Sequence, residues 1–263
     1  MQIVNYLIFD LFYLTFSLIT YGASLYLSYL GVSGFWSESI LGRITCLLLG
    51  YFLFLHIFVL VLGILKNIFQ PKLSEGVKDI GNNKDFISWA LNSVFCGIFL
   101  TSPMRKQISF IFYLNWIYYR LMGLKMSLST MISMNVTIRQ PELIELGKGV
   151  IIGLGSIMSC HYKPSKTKHV QRKIIIKDRS ILGGFAHLSP GVVIGEDSVV
   201  GARSVIYEGV RIGNNVRMGA ECRVTFYSRI PDNVIIKSGS VITRNDKIGA
   251  GETWAGSPAV KIS

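Results

Sequence analysis

A six-residue hydrophobic repeat in the second half of the chain constrains its fold more than any other feature. Counting by six from Ile176, every position is a large aliphatic side chain: Ile176, Leu182, Leu188, Ile194, Val200, Ile206, Ile212, Met218, Val224, Ile230, Ile236 and Ile242. Four residues after each of these anchors down to Ile236 comes a small or β-branched side chain, from Ser180 to Ser240. A fixed period this short predicts a parallel β-helix, in which each hexad forms one short strand and one turn and the anchors stack into a core.

The same register extends upstream and is interrupted once. Leu146, Ile152 and Met158 continue the repeat, but the stretch between Met158 and Ile176 contains "PSKTKHVQRKII", which is too polar and basic to line a core. We therefore expect a loop over residues 163–174 that leaves the coil. Loops carried on a rigid repeat often meet substrates.

The segments "IIGLGSIMSCHY", "IIIKDRSILGGFAHLSPGVVIGEDSVVGARSVI" and "GETWAGSPAVKI" resemble the hexapeptide-repeat acyltransferases. The resemblance covers about half the chain, from Asn135 to Ser263. It implies a left-handed β-helix over residues 131–263, acetyl-CoA or another acyl-CoA as cosubstrate, no metal, and a homotrimer whose active sites use the flanks of two β-helices. The left hand rests on the resemblance alone, because ordinary parallel crossovers are right-handed.

The resemblance assigns the general base to His161, just before the loop in "SCHY". A neutral imidazole accepts the proton of an attacking hydroxyl and returns it to the leaving thiolate. His187 matches a histidine near the acetyl group in some sugar N-acetyltransferases, and it is equally compatible with an outward turn residue. Gly183 and Gly184 match a position whose backbone N–H meets the thioester, although the repeat also needs turn glycines.

The resemblance also predicts where CoA runs, along the groove between adjacent β-helices. The residues it implicates are small ones that allow close approach and polar ones near the C-terminus: Gly201, Ala202, Gly219, Ala220, Thr243, Arg244 and Lys261. Each of them also fits a plain repeat or surface role. Asp178 and Glu208 are candidates to orient His161, as is a backbone carbonyl.

The N-terminal segment 1–70 predicts two transmembrane helices. Leu11 to Leu30 and Leu47 to Leu65 carry no charge apart from the titratable His56, and each is long enough to cross a hydrocarbon core of about 30 Å. Lysines at 66, 72, 78 and 84 follow the second helix, so the positive-inside rule predicts a multi-pass inner-membrane protein with its repeat domain in the cytoplasm. The start, with Asp10 and no basic residue, is unlike a cleaved signal peptide.

The segment 71–130 predicts a linker with amphipathic helices lying in the headgroup plane. Two apolar stretches, from Phe86 and from Phe110, are rich in aromatic residues and short for a span. Pro103 separates them and predicts a helix end. Re-entrant or short spanning segments remain alternatives.

The formal net charge of +12 does not by itself indicate nucleic-acid binding. The basic residues divide between the membrane-proximal segments and the loop, and the soluble half has no nucleic-acid motif. The loop cations Lys163, Lys166, Lys168, Arg172 and Lys173 form a run without an acid, which suits either a solvated face or the steering of a phosphate-bearing substrate. The four cysteines have no zinc-site spacing and are expected to be reduced.

These features together predict a membrane-anchored O-acetyltransferase that modifies a glycan or lipid-linked sugar at the cytoplasmic face. Membrane lipid is then a partner. An alternative is amide formation, since membrane segments followed by coils ending in "AGSPA" also resemble the C-terminal region of polylysine-synthetase-like proteins. A non-catalytic trimeric scaffold is a third interpretation. A γ-class carbonic anhydrase is a fourth, but the soluble half lacks the closely spaced histidine pair of that family.

Overall fold

A computed structural model describes residues 2–79, 83–165 and 167–263 and divides into two compact units. The helical unit comprises Met1–Pro71 and Ile87–Met122, and the solenoid unit comprises Lys72–Phe86 and Gly123–Ser263. The segment Lys72–Phe86, which we expected in the linker, is grouped with the solenoid unit. Lys166 of the loop lies outside the described residues.

The helical unit is built from five helices: α1 (Gln2–Ser33), α2 (Ile40–Phe69), α3 (Asn83–Thr101), α4 (Arg105–Phe110) and α5 (Phe112–Leu121). Ser39 caps α2, because its side chain accepts the backbone N–H of Gly42. Pro103 lies in the break between α3 and α4, as its missing N–H predicts.

Two of these helices are long and apolar enough to cross a membrane, over Leu7–Ser33 and Ile40–Phe69. Only 17% and 28% of their most apolar windows are buried inside the protein. Large apolar side chains such as Leu18 and Leu47 are exposed. A soluble protein rarely leaves so much contiguous apolar surface in water.

The shorter apolar helices pack within the helical unit. The ring of Phe95 on α3 lies 4.9 Å from that of Phe16 on α1, between centroids. His56 on α2 is satisfied at both ring nitrogens, by the carbonyl of Phe52 at 2.7 Å and the hydroxyl of Tyr113 at 2.6 Å. A residue of a neighbouring helix, Tyr113 on α5, therefore satisfies this ionisable side chain. The headgroup-plane location of α3 and α5 stays a prediction.

Hexapeptide repeats build a β-solenoid of about 7 turns, whose strands stack into three walls. Wall 1 contains Lys125–Met126, Ile144–Leu146, Ile174–Ile176, Val193–Ile194, Arg211–Ile212 and Arg229–Ile230. Wall 2 contains Met131–Ile132, Ile151–Ile152, Ile181–Leu182, Val199–Val200, Arg217–Met218, Ile235–Ile236, Thr253–Gly256 and the antiparallel Ala259–Lys261. Wall 3 contains Thr137–Ile138, Ile157–Met158, His187–Leu188, Val205–Ile206, Arg223–Val224 and Val241–Ile242. The first coil thus begins at Lys125, shortly before the expected start at position 131.

The predicted anchors form the core. In each two-residue strand of the three walls the second residue points inward. All twelve anchors from Ile176 to Ile242 are buried. Successive strands of a wall are parallel and lie three hexads apart in sequence, as in Ile194 against Ile212. Three hexads therefore make one coil, and the hexad period of the sequence becomes a continuous apolar column in each wall.

Each corner of the solenoid needs a left-handed residue. The third residue after the anchor has a positive φ at every hexad from Arg179 (58°) to Gly239 (73°), including Phe185 and Tyr227 at 58°. The fourth residue turns back inward, where a small side chain fits. Buried serines there bond across to the next coil, as Ser180 Oγ donates to the carbonyl of Gly195 at 2.6 Å.

Candidate functional site

A three-stranded antiparallel sheet replaces the expected loop. His161–Tyr162 pairs with Lys168–Gln171, and the latter also pairs with Gly76–Asp79. Leu188 is in register with Met158 on one side and with Ile206 on the other, but the first pair is five hexads apart in sequence and the second is three. This coil therefore carries the length of two additional hexads. The additional segment is a braced hairpin, and Val170 and Gln171 within it are buried.

The hairpin places His161 against a second histidine. The rings of His161 and His169 stack with centroids 5.1 Å apart and planes 14° apart, and Ser159 Oγ lies 3.4 Å from His161 Nδ1. Burial is the largest cause that lowers the pKa of His161 to about 4, followed by the nearby charges of His169, Arg139 and Lys163. The imidazole is therefore neutral at physiological pH and able to accept a proton.

Gln171 brings a buried acceptor next to His161. It is the cross-strand partner of His161, and its side chain is 1% exposed. Its Oε1 has no hydrogen-bond partner among the residues that the structure describes. A buried amide oxygen without a partner is costly, and such groups are frequent at functional sites. Neither Gln171 nor the stacking of His169 was predicted from the sequence, although residues two apart on one strand share a face.

The neighbouring cysteine is structural. Cys160 is fully buried, and its backbone N–H donates to Gln140 Oε1 at 3.0 Å. Burial raises the pKa of its thiol. It is therefore a poor nucleophile.

The two acids considered for orienting His161 have other contacts. Asp178 Oδ1 accepts the backbone N–H of Lys148 at 2.8 Å and so braces a corner. Glu208 is buried, lies 3.1 Å from the guanidinium of Arg172 and accepts the hydroxyl of Tyr227 at 2.7 Å. Burial and a hydrogen bond to Glu208 raise the pKa of Tyr162, the residue after His161, to about 12.

The glycines Gly183, Gly201 and Gly219 are explained by coil stacking. A Cβ on Gly183 would lie 2.4 Å from the backbone nitrogen of Ala202, and a Cβ on Gly201 would lie 2.3 Å from the backbone of Gly219. The N–H of Gly183 donates to the carbonyl of Val200 at 2.8 Å, so it belongs to the sheet ladder and is not free to meet an oxyanion. The assignment of Gly183 and Gly184 to the thioester stays a prediction.

Gly184 and Ala220 take part in the corner ladder through their carbonyls. The Gly184 carbonyl accepts the N–H of Arg203, and the Ala220 carbonyl accepts the N–H of Gly239, both at 2.9 Å. His187 begins a wall 3 strand, in register with Ile157 and Val205, and burial lowers its pKa. Its role near an acetyl group stays a prediction.

The C-terminal candidates lie in the last turns. The backbone N–H of Thr243 donates to Asp246 Oδ2 at 2.6 Å, and Arg244 is exposed. Lys261 lies 2.8 Å from Glu252 Oε1, and this ammonium is the first cause that lowers the pKa of Glu252 to about 2. Their assignment to CoA therefore stays a prediction.

The loop cations divide into two groups. Lys163 and Lys168 are exposed on the hairpin, whereas Arg172 and Lys173 lie where it rejoins the coil. Lys173 Nζ is 3.5 Å from both Glu75 and Glu145. The run has no acid in sequence, but distant segments supply acids to its last two members.

Across the described parts of the chain, no three His, Cys, Asp or Glu side chains are grouped so that they could hold a metal ion.

Comparison with known proteins supports the repeat. The family model "Bacterial transferase hexapeptide (six repeats)" matches residues 173–208 and 191–225. No curated protein matches the chain.

Several solved structures are similar in fold. PerB from Caulobacter crescentus, in complex with CoA and GDP-perosamine, is 18% identical over 61% of this chain and 73% of its own, with a TM-score of 0.44. AntD, an N-acyltransferase from Bacillus cereus in complex with dTDP and 3-hydroxybutyryl-CoA, is 17% identical over 54% of this chain and 84% of its own, with a TM-score of 0.47. A UDP-N-acetylglucosamine acyltransferase is 15% identical over 53% and 71%, with a TM-score of 0.35. Within the solenoid, residues 173–225 match hexapeptide repeats of the bacterial transferase type.

Proposed function

We propose that this protein is a membrane-anchored, CoA-dependent acyltransferase in which His161 is the general base. The observation that carries the proposal is the partly buried, neutral imidazole that a braced hairpin presents beside a hexapeptide solenoid. The match to bacterial transferase hexapeptide repeats over residues 173–225 supports it.

The reaction follows from the protonation state of His161. The acceptor hydroxyl transfers its proton to the imidazole as its oxygen attacks the thioester carbonyl carbon of acyl-CoA. The tetrahedral intermediate then collapses, the carbon–sulfur bond breaks, and the imidazolium returns the proton to the thiolate. His169 raises the acidity of that imidazolium through charge repulsion, which favours the return of the proton.

The acceptor that we propose is a hydroxyl of a glycan or lipid-linked sugar at the cytoplasmic face of the membrane. The exposed apolar surfaces of α1 and α2 support anchoring, and the lysines after α2 favour a cytoplasmic solenoid. We propose a homotrimer in which CoA lies along the solenoid near Gly201, Ala202, Gly219 and Ala220 and reaches Thr243, Arg244 and Lys261. Amide formation on a sugar amine would use the same base and is the competing activity.

The test is thiol release from acetyl-CoA by the full-length protein in mild detergent, with a panel of lipid-linked and nucleotide-linked sugars as acceptors. We expect release only with an acceptor, and His161→Asn lowers it by about 10²–10⁴-fold, which is the usual contribution of a general base. Arg203→Gln is the matched control, because Arg203 is exposed and paired only loosely, 3.4 Å from Glu221. Neutral hydroxylamine cleaves an ester product and spares an amide, so it identifies the bond formed.

Two results would contradict the proposal. Undiminished turnover in His161→Asn at unchanged oligomeric mass would exclude the base. A protein that binds no CoA would indicate a scaffold.

A further inference from the structure

An open groove of about 570 Å³ runs along the outer face of wall 1. Its lining contains four cations, Arg172, Lys173, Arg211 and Arg229, and one carboxylate, Glu75. Tyr227 completes the rim. We call this feature the arginine groove. All of its lining residues belong to the solenoid unit.

Two of the four cations are not neutralised. Lys173 lies 3.5 Å from Glu75 and Glu145, and Arg172 lies 3.1 Å from Glu208. Arg211 and Arg229 are exposed, and neither has an ion pair with any side chain that the structure describes. The groove therefore has an excess of positive charge.

The two unneutralised arginines are direct neighbours. Arg211 and Arg229 are register partners in adjacent strands of wall 1. Neighbouring strands lie about 4.8 Å apart, and like charges facing each other at that distance destabilise a sheet. A bound anion would remove this repulsion.

The spacing indicates the chemistry of that anion. A guanidinium binds phosphate with paired N–H donors, and its planar fork favours phosphate over a single point charge. Two guanidiniums one strand apart match two consecutive phosphates better than one. One aromatic ring lines the groove beside these cations, since the guanidinium of Arg172 lies 5.7 Å from the ring centre of Tyr227.

Glu208 connects the groove to the strand that carries His161. It contacts Arg172 and Tyr227 of the groove and is hydrogen-bonded to Tyr162, the residue after His161. The residues proposed for CoA are elsewhere, because Gly201 and Gly219 follow strands of wall 2. A ligand in the arginine groove therefore does not overlap the residues proposed for CoA.

We infer that the arginine groove binds the diphosphate of the acceptor, with Arg211 and Arg229 each holding one phosphate. That the diphosphate belongs to the acceptor rests on the proposed function, whereas the diphosphate site itself rests on the groove alone. Both nucleoside diphosphate sugars and polyprenyl diphosphate sugars carry this group.

The test measures diphosphate binding by the full-length protein in detergent, by calorimetry with inorganic pyrophosphate. We expect R211M/R229M to weaken binding at least about tenfold, since two charge-assisted contacts are lost. Arg223→Met is the matched control, because Arg223 has the same strand position in the same coil but belongs to wall 3. We expect it to leave the affinity within about twofold of the original, since it makes no contact with this groove.

Further arms identify the source of the diphosphate. Competition by uridine diphosphate indicates a nucleotide sugar, and competition by vesicles containing farnesyl diphosphate indicates a lipid-linked one. Either result supports the inference. Full competition by CoA would instead assign the groove to the donor and overturn it.

Two other outcomes overturn the inference. Pyrophosphate binding that is unchanged in R211M/R229M excludes the groove. A loss of oligomeric mass in that variant, without pyrophosphate binding by the original protein, would mean that the arginines pair with acids of a second copy. Because binding is measured without turnover, His161→Asn should retain it, and a failure of the acyltransferase proposal is thereby separated from a failure of the site.

Discussion

The protonation of His161 gives the sharpest test of the candidate site. We predict that its pKa in the native protein is about 4, against an ordinary value of 6.5. At pH 5.5 an unperturbed histidine would be only about 9% neutral, whereas His161 would be about 97% neutral. The proposed base should therefore work without loss from pH 8 down to about 5, which no ordinary histidine would do.

The same shift has a thermodynamic consequence with a definite sign. Between pH 6.5 and 4 the unfolded chain binds a proton at this residue and the folded chain does not, so stability falls as the pH falls through this range. The upper limit is about 3 kcal/mol, at about 1.36 kcal/mol for each pH unit. Partial exposure of the ring reduces the expected loss to about 2 kcal/mol.

The assay is a pH titration of carbon-13-labelled histidine followed by NMR on the full-length protein. The chain has four histidines, so four signals are assigned by single substitutions. His169→Gln should raise the pKa of His161, because it removes the repulsion, but the pKa should stay below 6.5 since burial is the larger cause. His187→Gln is the control and should leave the pKa of His161 unchanged. A value at or above 6.5 for His161 in the native protein would refute the reasoning.

Three further predictions concern the solenoid. Gly183→Ala puts a Cβ 2.4 Å from a backbone nitrogen of the next coil, whereas the nearest contact of a Cβ in Gly184→Ala is 3.2 Å away. Gly183→Ala should therefore lower the free energy of unfolding by at least about 2 kcal/mol more than Gly184→Ala. Equal melting temperatures of the two variants would contradict the stacking argument. Ile194→Ala should cost about 2–5 kcal/mol in chemical denaturation, because it opens a cavity in the column of anchors; a loss under about 1 kcal/mol would mean that the core is loosely packed. Cys160 and Cys222 are buried with raised pKa values, so a thiol reagent at neutral pH should modify them only after denaturation; rapid modification of the folded protein would show that the solenoid opens there.

The solenoid was readable in the sequence because its period is a geometric property of the coil. One hexad supplies one strand and one turn, so the position of every anchor fixes the face of every residue that follows. The inward position of Ile176 and of each anchor after it is thus determined locally. No pairing partner had to be guessed.

The hairpin was less predictable because its third strand is distant in the chain. Lys168–Gln171 taken alone is a basic loop, and it pairs with Gly76–Asp79, which comes before the last three helices and the first coils. A contact at such separation leaves no local periodicity. The pairing of Lys168–Gln171 with Gly76–Asp79 therefore could not be predicted from residues 163–174 alone.

The left-handed corners show a second limit of local propensity. Glycine and asparagine are the residues expected at positive φ, but this chain also uses Arg179, Phe185 and Tyr227 there. The ladders of neighbouring coils fix the backbone, and the cost of a side chain in that region is offset by stacking. Tyr227 in this way reaches the arginine groove, which its residue type alone did not indicate.

The arginine groove had a sequence signal of a different period. Outward positions of wall 1 recur at every third hexad, at Ile175, Val193, Arg211 and Arg229. Along the sequence, successive hexads carry Arg211, Arg217, Arg223 and Arg229, which follow one another around the solenoid. Between stacked coils, only Arg211 and Arg229 are neighbours. A charged residue in a solenoid therefore has neighbours along its own coil and neighbours in the coils above and below. The neighbours in the adjacent coils decide whether a ligand on one wall meets one cation or two. Solvent exposure alone explains Arg217 and Arg223, whose register partners in the next coil are Ile235 and Val241, but it does not explain why Arg211 faces Arg229.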